Sequence, residues 1–130
     1  MIVKPTENQK DIRKIIFHPD IYPVISEGVT IDPQTHFPTD DVLYIGGYVE
    51  DEIIALACVH NFRDGLKWHA QVLPLARYLY AREFLRESLD MVKYTKIYAE
   101  IPLHRKRLYN LAKKLGFHTI EIGKKRVMSL

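Results

Sequence analysis

One stretch of the sequence determines how the elements around it are arranged: Trp68-His69-Ala70-Gln71-Val72-Leu73-Pro74-Leu75-Ala76-Arg77. Residues 66–73 are predicted to form a strand, and Pro74 ends it because proline lacks a backbone N–H. From residue 75 to about residue 94, apolar side chains recur at three- and four-residue steps, which is typical of an amphipathic helix. The side chains expected on its buried face are those of Tyr78, Ala81, Phe84, Leu85, Leu89 and Val92.

Downstream of this helix, the pattern predicts a strand over residues 96–101, stopped by Pro102, and a helix over residues 104–115. Gly116 follows that helix in the position that glycine usually takes at a helix end. Two short strands, over residues 117–122 and 125–130, complete the chain. The residues expected to face inward from the last helix are Leu108, Leu111, Ala112 and Leu115.

Upstream, the sequence predicts a strand over residues 2–6 and a helix carrying Ile12, Ile15 and Ile16, with Thr6 or Asn8 as its cap. A second short helix is expected over residues 20–27, followed by a turn-rich loop over residues 29–41. Two strands, over residues 42–49 and 53–59, then form a hairpin around a polar turn at residues 50–52. Gly46 and Gly47 in the first of these strands indicate a bulge.

The predicted order of elements is therefore β-α-α-β-β-β-α-β-α-β-β. A strand, a long helix and another strand after a meander imply at least one parallel crossover. The fold class is α+β, with a mixed, mostly antiparallel sheet flanked by helices. The 130 residues, of which 47% are hydrophobic and 27% charged, are expected to form a single domain over 1–130.

Several classes of protein are excluded by composition. No apolar run is long enough to span a membrane, and the N-terminus lacks the pattern of a secretory signal, so we expect a cytoplasmic protein. The single cysteine, Cys58, rules out an internal disulfide framework, and its apolar surroundings predict an inert core thiol. The six histidines show no i, i+4 pair, so no metal site is predicted.

Positive charge is concentrated at one end of the chain. Residues 104–130 contain eight basic residues and one acidic residue, whereas residues 1–103 contain 11 and 15. Such a split indicates a partner that carries phosphate, either a cofactor or a nucleic acid, or simply a solvated helix face.

Two local sequences resemble the GNAT (GCN5-related N-acetyltransferase) superfamily. Leu111-Ala112-Lys113-Lys114-Leu115-Gly116-Phe117 is similar to the helix-to-strand ending of ribosomal-protein N-terminal acetyltransferases. Val72-Leu73-Pro74-Leu75-Ala76-Arg77 is similar to the family's junction between strand four and the helix that holds coenzyme A. The resemblance covers essentially the whole chain and implies acetyl transfer from acetyl-CoA to an amine acceptor, with no metal.

The resemblance also assigns residues to the cofactor. Backbone groups of Gln71, Val72 and Leu73 would contact the pantetheine arm. The following turn in the family carries glycines that admit the pyrophosphate, and here Tyr80 and Arg82 occupy those positions. Arg77 and Arg82 would then hold the phosphates by charge, and Arg105 would add charge at the start of the last helix.

Candidate catalytic residues follow from the same placement. His69, whose side chain is expected on the opposite face of the strand from Ala70 and Val72, is the candidate base for the acceptor amine. Glu100 is a second possible base. Tyr109 is the candidate acid, because the family's usual tyrosine position is Ala112 here. The 29–41 loop is expected to border the acceptor.

The departures at Tyr80 and Arg82 leave an alternative open. The short length and altered phosphate turn are also similar to GNAT-like proteins of tailed phages, some of which take part in head or virion assembly. In that interpretation the fold is catalytically silent and serves as a surface for a protein partner, with the basic end available to DNA.

Overall fold

The computed structural model describes residues 1–25 and 42–130, so the loop predicted over 29–41 and the end of the helix predicted over 20–27 lie outside the described residues. The helices are α1 (Gln9–Ile16), α2 (Tyr22–Ile25), α3 (Arg77–Asp90) and α4 (Lys106–Lys114), with a 3₁₀ turn at Pro74–Ala76 before α3. The strands are β1 (Ile2–Pro5), β2 (Val42–Val49), β3 (Glu52–Phe62), β4 (Gly65–Val72), β5 (Ile97–Pro102), β6 (His118–Ile122) and β7 (Lys125–Ser129).

The seven described strands form one sheet in the order β1-β2-β3-β4-β5-β7-β6. Neighbouring strands are antiparallel except β4 and β5, which are parallel and are connected by the crossover through α3. The predicted α+β fold, with a mostly antiparallel sheet flanked by helices, is therefore confirmed, as is the order of its elements. In the described part of the chain, no helix is long and apolar enough to cross a membrane.

Each face of the sheet has its own hydrophobic cluster. On one face, which we call the α3 face, side chains of β2–β5 pack with α3 and α4 around Phe84. On the other, which we call the α1 face, Ile12 and Ile15 of α1 pack with side chains of β2 and β3. Side chains alternate between the two faces along a strand. Trp68 and Val72, which are an even number of residues apart on β4, therefore both belong to the first cluster.

Trp68 is the central aromatic side chain of the α3 face. Its indole N–H donates to the buried hydroxyl of Ser88 at 3.3 Å, and its ring stacks on Phe117 with centroids 6.0 Å apart. Ser88 in turn donates to the carbonyl of Leu85 within α3. A buried polar group on this helix is thus satisfied, and the strand, the helix and the segment after α4 are held together.

Local chemistry explains the ends of several elements. Asn8 caps α1 by accepting a hydrogen bond from the backbone of Asp11 at 3.1 Å, which selects Asn8 from the two predicted caps. The hairpin turn between β2 and β3 places Glu50 and Asp51 at positive φ, as a two-residue type I′ turn requires. The predicted bulge is confirmed, because the pairing of β2 with β3 shifts register after Gly47.

Two expectations about the helices are wrong. The long helix ends at Asp90 instead of residue 94, and Tyr78, expected on its buried face, is 97% exposed. Leu108 of α4 is also exposed, at 44%. Both side chains belong to the N-terminal part of their helix, where no described element packs over them, so helical periodicity alone overestimates the length of the buried stripe.

Gly65, the first residue of β4, allows β5 to approach β4. A Cβ at this position would collide with the backbone carbonyl of Lys96, just before β5. That same carbonyl accepts the N–H of Leu66 at 2.9 Å, which starts the parallel pairing. The absence of a side chain at residue 65 is therefore a steric requirement of the crossover.

We expect Gly65→Ala to lower the free energy of unfolding by about 1–3 kcal/mol, because the new methyl group meets immobile backbone. Gly123→Ala is the matched control, since a Cβ at Gly123 has open space around it. Chemical denaturation of the three proteins measures the difference. Equal stability of the two variants would contradict the proposed role of Gly65.

Candidate active site

A wedge-shaped gap opens between β4 and β5, which we call the splay. The two strands pair only at Leu66–Ile97 and Lys67–Tyr98. Beyond this point β4 stays paired with β3 as far as Val72, and β5 stays paired with β7 as far as Pro102. The C-terminal halves of the two strands therefore diverge and leave backbone groups without a strand partner between them.

The direction of the backbone decides which residues of β4 face the splay. The N–H of Leu66 points towards β5, where it donates to Lys96, and the N–H of Leu73 points towards β3, where it donates to Ile54 at 2.9 Å. Because these directions alternate along a strand, the backbone groups of Ala70 and Val72 point into the splay. Of the three residues predicted to contact pantetheine, Val72 faces the splay, whereas the backbone groups of Gln71 and Leu73 point towards β3.

Arg77 sits at the mouth of the splay. Its side-chain Nε donates to the carbonyl oxygen of Val72 at 3.0 Å, so the guanidinium satisfies one of the backbone groups that β5 leaves unpaired. Arg82 lies exposed on α3. Tyr80, which occupies a glycine position of the family pattern, packs its ring against the α3-face cluster and is therefore directed inward.

The N-terminus of α3 follows directly on a 3₁₀ turn and carries exposed apolar side chains. No side chain caps α3 or the 3₁₀ turn before it, and no acidic residue lies in the first turn of either. The preceding 3₁₀ turn already occupies two backbone donors here, since the N–H of Arg77 donates to the carbonyl of Pro74 and that of Ala76 to the carbonyl of Leu73. Leu75, Tyr78 and Leu79 are 100%, 97% and 69% exposed around this turn.

His69 lies on the α1 face of β4, directly opposite Cys58 of β3. Its ring meets that of His60 edge-on, with centroids 6.2 Å apart. Burial, and then the neighbouring His60 and Lys67, lower the pKa of His69 from 6.5 to about 4. The residue as a whole is nevertheless exposed, so water reaches the ring and weakens the burial effect, while the downward direction also rests on its two neighbours.

Glu100, the second candidate base, is already paired. Its carboxylate accepts a hydrogen bond from the ammonium of Lys67 at 2.8 Å. This bond lowers the pKa of Glu100 below its ordinary value, against the opposing effect of burial. Glu100 is thus an ionised partner of Lys67 and a weaker base than a free glutamate.

Tyr109 is separated from His69 by the sheet. It packs against the α3-face cluster, and the guanidinium of Arg126 lies 3.7 Å from the centroid of its ring. Arg105, half-buried, is the residue immediately before α4. The structure therefore brings Val72 and Arg77 together at the splay but does not bring the candidate acid Tyr109 to the candidate base His69.

The cysteine has no role in this site. Cys58 is buried, as predicted, and burial raises the pKa of its thiol to about 12. The thiol is therefore protonated at neutral pH and not nucleophilic. Within residues 1–25 and 42–130, no three His, Cys, Asp or Glu side chains come close enough to hold a metal ion.

Two features of the site were missed from the sequence. Ala70, not Gln71 or Leu73, shares the backbone direction of Val72, and strand alternation counted back from the proline would have indicated this. Lys67 and Glu100 lie on different strands and form an ion pair only because β4 and β5 are parallel and in register there. No local signal in the sequence indicates that register.

Comparison with solved structures shows the class of fold. The chain shares its fold with acetyltransferases, over 99% of its length in each of three examples. One is assigned to the GNAT family, from Desulfovibrio desulfuricans, with a TM-score of 0.72, 16% identity and 97% of that chain covered. No protein-family model matches the sequence, and no curated protein matches it either.

Two of these structures have more specific names. The ribosomal-protein alanine N-acetyltransferase from Escherichia coli gives a TM-score of 0.68 at 14% identity, with 92% of that chain covered. The Campylobacter jejuni N-acetyltransferase PseH, solved in complex with acetyl coenzyme A, gives 0.64 at 11% identity, with 98% covered. At these identities the likeness concerns the fold.

The lowered pKa of His69 predicts a specific acid sensitivity. Between pH 6.5 and about 4 the unfolded chain binds a proton at His69 that the folded chain does not, so the free energy of unfolding falls as the pH falls through this window. His69→Gln should flatten this part of the pH dependence, and His118→Gln, on β6, is the matched control.

Urea denaturation across this window measures the effect, and NMR titration of the imidazole of His69 measures the pKa itself. A folded-state titration near 6.5 would contradict the prediction.

Proposed function

We propose that this protein is an N-acetyltransferase that uses acetyl-CoA and an amine acceptor. The observation that carries the proposal is the splay, because it presents unpaired strand backbone beside an uncapped, positively charged helix start. A pantetheine arm needs amide partners, and a pyrophosphate needs N–H donors and cations. The shared fold with acetyltransferases supports the proposal.

The residues present fit acetyl-CoA. Ala70 and Val72 would offer backbone hydrogen bonds to the pantetheine arm, and Arg77 would release the Val72 carbonyl when the arm takes its place. Tyr80 is half-buried against the α3-face cluster, so part of its side chain is turned away from the surface where the phosphates would enter. Arg77 and Arg82 would supply positive charge to the phosphates from α3, and we retain Arg105, just before α4, as a third cation.

We assign His69 the role of base. Bound acetyl-CoA supplies an activated acyl thioester. The imidazole of His69 is neutral at pH 7 and would accept a proton from the acceptor ammonium, directly or through water, although its lowered pKa makes it a weaker base than an ordinary histidine. The acceptor would then approach from the α1 face of the sheet. Tyr109 has no part in this assignment, because it lies on the α3 face.

Calorimetric titration with coenzyme A and acetyl-CoA tests the proposed cofactor. We expect saturable binding that Arg82→Gln weakens about fivefold, because an exposed cation–phosphate contact contributes about 1 kcal/mol. Arg86→Gln, one turn further along α3 and equally exposed, is the matched control and should bind like the natural protein. Equal weakening by both variants would indicate general charge and not a phosphate turn.

Turnover of acetyl-CoA with amine acceptors, followed by release of the free thiol, tests the base. We expect His69→Gln to lower kcat about a hundredfold while leaving the dissociation constant for acetyl-CoA unchanged, because a positioned base acts on the acceptor. His118→Gln is the control. Peptides with a free amino terminus and polyamines form the acceptor panel, and a loss of cofactor affinity in His69→Gln would contradict the assignment.

One observation favours a second candidate, a catalytically silent relative with a structural role such as the phage head or virion assembly considered above. Leu75, Tyr78 and Leu79 expose apolar surface where phosphates would enter, as a docking surface for a protein partner does. Absence of binding at millimolar coenzyme A would overturn the acetyltransferase proposal and favour this alternative.

A further inference from the structure

A second cleft lies between α4, the end of β5 and β7. Its volume is about 260 Å³, and it is lined by Pro102, Leu103, Lys106, Tyr109, Asn110 and Arg126. Pro102 ends β5, which also borders the splay, whereas the other five lining residues belong to α4, to β7 or to the segment between β5 and α4. We call it the α4 cleft, and we ask which ligand its side chains could bind.

Arg126 is held in one orientation within the α4 cleft. Its guanidinium stacks on the ring of Tyr109 at 3.7 Å from the centroid, and Lys113 approaches the same ring at 5.1 Å. Stacking uses the flat face of the guanidinium and leaves its N–H donors, which lie in the plane of the group, free to form two parallel hydrogen bonds. The position of Arg126 is thus set before any ligand arrives.

The cations of the α4 cleft have no carboxylate beside them. Within residues 1–25 and 42–130, no acidic side chain forms an ion pair with Lys106, Lys113 or Arg126. The single acidic residue of segment 104–130, Glu121, is bound to Arg63 at 2.6 Å. Positive charge therefore accumulates at the α4 cleft without an internal counterion.

We propose that the α4 cleft binds a phosphate group. Arg126 of β7 supplies a bidentate donor, Lys106 of α4 a second cation, and Asn110 a neutral amide donor, which together suit a tetrahedral dianion. Tyr109 and Leu103 provide the apolar wall against which the rest of a small molecule packs. The phosphate belongs either to a small phosphorylated molecule or to a nucleic acid backbone.

Titration of the full chain with inorganic pyrophosphate, followed by isothermal calorimetry, tests the α4 cleft. We expect saturable binding that Arg126→Gln and Lys106→Gln each weaken about tenfold or more, since each removes a charge-assisted hydrogen bond. Lys114→Gln is the matched control, because it removes the same charge from an exposed position of α4 outside the cleft. Thermal melting of each variant confirms that it is folded, and Lys106, which is exposed, keeps the test valid if Arg126→Gln unfolds.

A short DNA duplex distinguishes the two sources of phosphate. If the ligand is a nucleic acid backbone, the duplex binds more tightly than pyrophosphate, its affinity falls steeply with salt, and Arg126→Gln weakens it. If the ligand is a small molecule, pyrophosphate binds and the duplex does not compete with it. Absence of saturable binding of both probes, or equal weakening by Lys114→Gln and Arg126→Gln, would overturn the proposal. Pyrophosphate binding that Arg82→Gln weakens and Arg126→Gln leaves unchanged would belong to the start of α3 and would likewise overturn the proposal for the α4 cleft.

Discussion

The short parallel pairing of β4 with β5 is the constraint on which the rest of this structure depends. It is limited to two residues from each strand, and it exists because Gly65 admits the carbonyl of Lys96. The parallel direction requires the crossover through α3, and the limited length lets the strands diverge afterwards. The position of α3, the splay and the helix start that faces it are therefore consequences of one close backbone contact.

The fold could be predicted from the sequence because its determinants are local. Pro74 and Pro102 end strands, Gly116 follows a helix, and alternating or helical patterns separate the elements between them. The predicted extent of burial was wrong, as at Tyr78. Periodicity indicates which side of a helix is apolar but not how far the sheet beneath the helix extends. That extent depends on contacts between distant segments.

The site was less predictable than the fold. The placement of Val72 and Arg77 could be inferred from a strand that runs into a helix, whereas the bond between them depends on the side-chain rotamer of Arg77. The ion pair of Lys67 with Glu100 depends on the register of strands separated by a whole helix. From the sequence, Tyr109 and His69 are candidates for the same site, but the sheet separates them. Only the three-dimensional arrangement shows this separation.

The packing of Trp68 has a practical consequence. It is the single tryptophan of the chain, and it lies in the strand that forms one wall of the splay, stacked on Phe117 and bonded to Ser88 of α3. The tryptophan fluorescence of the protein, excited selectively over its eight tyrosines, therefore originates at one point, where the sheet, the crossover helix and the segment after α4 meet. Any change in the spacing of these three parts alters the polarity around a single indole. The emission of this tryptophan therefore reports structural changes at the splay.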